Sequence, residues 1–185
     1  MEIQKIATRE GYGKALLELG RINKNVVVVD ADLGDSTKAE LFGKEFPERF
    51  FTMGIAEQDM IGAAAGLSVS GKIPYASTFA VFSERAFEFV RNIVARNKLN
   101  VKICGSHAGI TTGEDGKSAQ ALEDVAIYRS LPNMVVLQPC DSAEAEKMVF
   151  ALADYKGPSY MRVHRTAYPV IHDKNYKFEM GKGEV

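Results

Sequence analysis

Four consecutive valines, at residues 26–29, restrict this chain more than any other feature. An unbroken β-branched run has no polar face, so a strand made from it must be covered on both sides. That is the signature of a parallel sheet layered between helices. The rest of the sequence supplies such covers. Residues 7–19 place Tyr12, Ala15, Leu16 and Leu19 at helical spacing. Residues 38–46 read as a short helix ending before Pro47, residues 83–99 as a long helix, and residues 123–130 as another. Asp141 with Glu144 resembles a capping box opening a helix through Ala153. Between these, residues 73–77, 101–104, 134–137 and 160–163 read as strands, and the glycine-rich residues 105–121 as loop. Such alternation predicts an α/β fold, a doubly wound, mostly parallel sheet with helices on both faces. Residues 1–166 form its single domain, and residues 167–185 a departing linker.

Composition narrows the function classes. The net charge of −1, without a block of basic residues, gives no footprint for nucleic acid or an anionic membrane. No apolar run approaches a bilayer span. Met1 leads to Glu2 and Lys5 without an apolar stretch, so no secretory leader is expected. Cys104 and Cys140 stand far apart without a CxxC pattern, as expected of reduced thiols in a cytoplasmic protein with neither disulfide nor metal site.

The chemistry concentrates in residues 49–82. Gly54 suits a tight strand-to-helix turn because it tolerates positive φ. Glu57 and Gln58 fall in the first turn of the next helix, followed by the small residues Gly62, Ala63, Ala64, Ala65 and Gly66. A strand then leads into Thr78, Phe79 and Phe82. In an open α/β sheet such strand-to-helix junctions lie on one edge, where ligands bind. Met53-Gly54-Ile55-Ala56-Glu57-Gln58, with Thr78-Phe79-x-x-Phe82 downstream, resembles the pyrimidine-binding domain of transketolases, enzymes of the thiamine-diphosphate family. The resemblance implies that Glu57 is the catalytic acid that hydrogen-bonds N1′ of the cofactor. It also implies that Phe79 and Phe82 wall the pyrimidine ring and that Ile55 contacts the cofactor. Singly, Glu57 reads as a helix N-terminal charge and both phenylalanines as core; their ordered combination favours the cofactor.

Three further stretches extend the resemblance over residues 6–165. Asp30-Ala31-Asp32-Leu33-Gly34-Asp35-Ser36 follows the valine strand. By resemblance Asp32 lies near the cofactor at a subunit boundary, while Ser36 and Arg9, in Ala7-Thr8-Arg9, contact the sugar phosphate. On residues alone, Ser36 is a helix cap and Arg9 a surface charge. The glycine loop from Gly105 to Gly116 carries His107 and Asp115, which the resemblance makes contacts to sugar hydroxyls near the reacting carbon, His107 being catalytic as well. In the stretch from Gly157 to Arg165 it favours Arg162 as the phosphate ligand, with Arg165 the weaker candidate. His164 and His172 are expected to be surface or linker residues. Two departures stand out. Ala119 occupies a position where the family has a phosphate-contacting histidine, and Arg85 one where many relatives carry a third aromatic ring.

Nothing in the chain resembles a diphosphate-binding domain, and it ends where a third, C-terminal domain would begin. The resemblance therefore implies either a natural subunit of a split transketolase, cut short, or an excised domain, pairing as a homodimer and with a diphosphate-binding partner. Thiamine diphosphate would be shared with that partner, which would hold the Mg2+. The reaction implied moves a two-carbon ketol unit from a ketose phosphate to an aldose phosphate. Related thiamine enzymes remain open as alternatives, namely 1-deoxyxylulose-5-phosphate synthase and the pyruvate-dehydrogenase β subunit. A noncatalytic interaction domain that kept the fold is a third.

Overall fold

In a computed structural model, which describes residues 4–173 and 175–183, strand β1 (Lys5–Ala7) runs directly into helix α1 (Thr8–Ile22). The valine run becomes β2 (Val26–Asp30), buried at every position. Short helices α2 (Gly34–Thr37) and α3 (Glu40–Glu45) lead to β3 (Phe50–Thr52). Then come α4 (Glu57–Val69), β4 (Ile73–Phe79), α5 (Ala80–Ser83) and α6 (Phe87–Phe89). The second half comprises β5 (Lys102–Ser106), α7 (Asp124–Arg129), β6 (Val135–Leu137), α8 (Ser142–Asp154), β7 (Ser159–Arg162) and β8 (Ala167–Pro169).

Six strands form one parallel sheet in the order β3-β2-β4-β5-β7-β6. The valines of β2 explain why both faces are covered. Val26 and Val28 enter a core with Tyr12 and Leu16 of α1 and Met148 and Leu152 of α8. Val29 points to the other core, with Met60, Ile61 and Ala64 of α4 and Tyr128 of α7. Each such burial is worth about 1.5–3 kcal/mol. Helices α1 and α8 pack so closely that a Cβ at Gly11 would lie 2.3 Å from the Ser142 carbonyl oxygen. Among the described residues no helix is long and apolar enough to cross a membrane.

Several expectations are corrected. The helix expected over residues 38–46 begins only at Glu40, because Lys38 takes a left-handed φ of 69°. The bare backbone of Gly13 lets α1 press against it there; a Cβ would stand 2.6 Å from the Lys38 carbonyl oxygen. The long helix expected over residues 83–99 is broken by a 3-10 turn at Glu84–Ala86 and a π-type turn at Val90–Ala95. The Tyr128 hydroxyl lies 3.1 Å from the Ser83 carbonyl, competing for an acceptor that a continuous α-helix would use. Asp141 caps α8 as expected, its Oδ1 accepting the Glu144 N–H at 2.8 Å. Glu144 reaches back one residue further than a capping box would, to the Cys140 N–H.

The stretch from Ala167 is not a departing linker at its start. Strand β8 pairs antiparallel with β1, and Phe178 and Met180 pack on the α1/α8 core. Residues 1–3 of the expected domain, and 174, 184 and 185 of the expected linker, lie outside the described residues. His164 is buried rather than superficial, with its N–H donating to Thr8 Oγ1 at 2.7 Å. His172 is packed too: its Nδ1 lies 3.1 Å from Asp141 Oδ2 and 3.6 Å from Cys140 Sγ.

Candidate functional site

The β3–α4 junction turns through Gly54, whose φ is 72° and whose missing Cβ faces open space. That turn delivers Glu57 as the first residue of α4. Only 2% of Glu57 is exposed, yet its Oε2 has no hydrogen-bond partner. A buried carboxylate oxygen without a hydrogen bond is costly. It faces a cavity of about 180 Å³ lined by Ala31, Asp32, Leu33, Ile55, Phe82 and Arg85. Ile55 is 75% exposed at its rim. The guanidinium of Arg85 approaches, with Nε 3.5 Å from Glu57 Oε2.

Phe79 does not line this cavity. It lies behind Phe82, the rings nearly parallel at 5.6 Å, and stacks on the imidazole of His107 at 3.8 Å. One aromatic column therefore joins the carboxyl pocket, reached from β3 and β4, to the histidine at the end of β5.

His107 and Asp32 both hold left-handed backbone, with φ of 57° and 61°. Such strain costs on the order of 1–3 kcal/mol and concentrates at functional sites. An arginine nitrogen can only donate, so Arg9 at 3.3 Å makes Nε2 of His107 the acceptor. The ring proton then sits on Nδ1, which donates to Ser106 Oγ at 2.9 Å. Burial, followed by the charge of Arg9, pulls the His107 pKa down to about 4; Asp115 opposes this, and Arg165 and Lys38 add to it. His107 is thus a neutral imidazole at neutral pH, ringed by three cations. Arg9 also donates to the Ser36 carbonyl at 2.8 Å. Neither helix following β2 has a side-chain cap bond at its N-cap residue, so Ser36 is not the cap that residues alone suggested.

The two arginines near the end of β7 meet different partners. Arg162 donates through Nε to buried Asp124 at 2.8 Å, and through its other nitrogens to Gln138 and the Ala121 carbonyl. Each of its three nitrogens thus has one protein partner, which makes Arg162 an anchor for Asp124 as well as the expected phosphate ligand. Arg165 instead faces the glycine loop, donating to the Thr112 carbonyl at 3.1 Å and pairing with Glu114 at 2.5 Å and Asp115 at 3.4 Å. It therefore belongs to the His107 side of the site. Ala119 is buried.

Asp30, in the same motif as Asp32, is a further candidate that the sequence pattern does not single out. It is buried, its Oδ2 accepts the Leu33 N–H at 3.1 Å, and its Oδ1 is unpaired. Burial raises its pKa to about 6. Its position at the end of an all-apolar strand was the available signal. Asp30, Asp32, Asp35 and Ser36 share a second cavity of about 380 Å³. Larger clefts of about 620 and 750 Å³ lie beside the tail, lined by none of the expected site residues.

A parallel α/β sheet whose strand ends gather a buried carboxyl, stacked rings and a cation-ringed histidine defines a ligand-binding domain of the doubly wound class. The family model for the transketolase pyrimidine-binding domain matches residues 4–170, and the chain belongs to that family. It is 53% identical over 180 residues to a protein of Methanocaldococcus jannaschii named as a transketolase C-terminal section, covering 96% of this chain and 57% of that one. Human transketolase is 41% identical over 182 residues, covering 98% of this chain and 29% of that enzyme. Among solved structures, a split-gene transketolase described as an inactive β4 tetramer superposes with a TM-score of 0.88 at 53% identity, covering 98% of this chain and 59% of that one. Transketolase from Campylobacter jejuni superposes with a TM-score of 0.86 at 27% identity, covering 96% and 28%. The chain thus spans well under two thirds of the proteins it resembles.

Proposed function

We propose that this chain is the pyrimidine-binding subunit of a split transketolase. It would complete an active site with a diphosphate-binding subunit, moving a two-carbon ketol unit between sugar phosphates. The observation that carries this reading is the Oε2 of buried Glu57, which has no hydrogen-bond partner and faces a small cavity walled by Phe82 and Ile55. Those residues fit an aminopyrimidine, which offers a nitrogen edge to an acid and flat faces to apolar walls. Glu57 would hold a proton at N1′ of the ring; Phe82, backed by Phe79, and Ile55 would fix its plane, with Asp32 beside them. When bound, thiamine diphosphate supplies the nucleophilic carbon that carries the two-carbon unit between donor and acceptor. The diphosphate and its Mg2+ fall to the partner.

The substrate half of the site follows from the cations. Arg9 and Arg165, with Ser36 nearby, suit the phosphate, since planar guanidinium forks bind such oxygens bidentately. Neutral His107 can donate to or accept from a sugar hydroxyl, and Asp115 can accept from one. Excluding water from this pocket requires the second subunit. The test is ketol transfer by the chain mixed with a diphosphate-binding transketolase subunit, with and without thiamine diphosphate and Mg2+. Transfer that requires both proteins and the cofactor is expected; no transfer by a mixture that forms a stable complex would overturn the reading.

A further inference from the structure

Among the described residues Arg85 is the one cation lining the Glu57 cavity, and the transketolase reading gives it no role. It leaves the 3-10 turn after α5 and reaches back over the pocket, its Nε stopping 3.5 Å from the Glu57 oxygen that lacks a hydrogen bond. That is longer than the roughly 2.7–2.9 Å of a charge-assisted bond. Glu57 is fixed and buried, whereas 59% of the Arg85 side chain is exposed. One partner is therefore held by the fold, and the other is free to leave.

We propose that Arg85 is a displaceable occupant of the pyrimidine slot. It rests on Glu57 while the slot lacks its ring and competes with the ring for the same carboxylate. The inference deepens the cofactor-site reading and rests on it. A guanidinium suits this role because it is flat, carries several N–H donors along one edge and lies easily against an aromatic face such as that of Phe82. The orphaned oxygen gives Arg85 a reason to enter, since a buried carboxylate gains from any donor. The long distance and high exposure let it leave, because exposed ion pairs hold weakly. Arg85 thereby sets how tightly this subunit grips the pyrimidine and which rings can dislodge it.

The experiment measures the dissociation constant of thiamine diphosphate by calorimetry at fixed Mg2+, in the complex with the diphosphate-binding subunit. Four proteins are compared: the parent, Arg85→Gln, Glu57→Gln and the double variant. Arg85→Gln is expected to tighten binding about fivefold, the factor a weak exposed pair is worth. In the Glu57→Gln background the same change should have no effect, since the competition runs through that carboxylate. Binding unchanged within about twofold, looser binding, or equal tightening in both backgrounds would each overturn the proposal. Absence of cofactor binding by the parent complex would instead overturn the transketolase reading and take this proposal with it.

Discussion

A single residue, Glu57, separates a packed acid from a working one. If it only balanced the start of α4, replacing it would cost a few tenths of a kcal/mol. As the acid that serves N1′, Glu57→Gln keeps the shape and removes the transferable proton. Turnover with the diphosphate-binding subunit is then expected to fall about a hundredfold or more, with the melting temperature nearly unchanged. Steady-state rates at saturating cofactor check this, and a variant within about threefold of the parent would remove Glu57 from that role. His107 gives a prediction in pH. Its folded pKa of about 4 lies below the usual histidine value of about 6.5. Between those values the unfolded chain binds a proton that the native ring refuses. The stability this residue contributes is therefore present above about pH 6.5 and lost as pH falls towards about 4. His107→Asn tolerates the left-handed backbone and should flatten that decline. Melting curves of both proteins from pH 4 to 7 test it; His164, also depressed by burial, is common to both and cancels. Parallel curves would place His107 in contact with solvent rather than in the buried stack.

At the scale of elements, the segment from β7 to β8 ties the glycine loop to the sheet through two arginines with separate duties. Arg162 neutralises Asp124, which is buried and also receives the Tyr160 hydroxyl at 2.8 Å. Arg162→Ala strands that charge and is expected to cost about 3–5 kcal/mol, lowering the melting temperature by roughly 10 °C. Arg165 makes partly exposed pairs with the loop, so Arg165→Ala should cost about 1 kcal/mol or less. Its expected effect is on KM for the sugar phosphate, raised about tenfold with a smaller change in kcat. Calorimetric melting and steady-state kinetics on both variants decide the division. Equal stability losses, or a larger KM effect at Arg162, would reverse the assignment.

The whole molecule presents an open face. On α4, a Cβ at Gly62 or Gly66 would meet nothing, while Ile55 and Val69 stand 75% and 74% exposed. A smooth helix rimmed by apolar side chains suits close approach across a two-fold axis. The chain is therefore expected to self-associate, with light scattering giving a mass of a dimer or more. Gly62→Arg should shift the population towards monomer without unfolding it, and a parent that stays monomeric at high concentration would exclude this face. On the proposed sharing of the cofactor with a partner, the isolated chain is also expected to show no micromolar binding of thiamine diphosphate by calorimetry.

Local pattern determined much of this protein. The valine run dictated a doubly covered parallel strand, because no alternative buries four β-branched side chains in a row. Gly54 marked its turn by a backbone requirement, and motifs that hold Glu57, Phe82 and His107 at short sequence distances put them forward as candidates. Only the tertiary structure decided which groups meet. Phe79 proved to be a link between Phe82 and His107, Arg162 an anchor for Asp124 and Arg165 the clasp on the loop. Those outcomes depend on contacts across separate segments, where two arginines three residues apart look alike in sequence and differ only in the acids each can reach, buried Asp124 for one and exposed Glu114 and Asp115 for the other. The return of residues 167–169 onto β1, and of His172 onto Asp141, escaped sequence reading for the same reason. Short segments carry little periodicity of their own, and their structure comes from the partner they fold against.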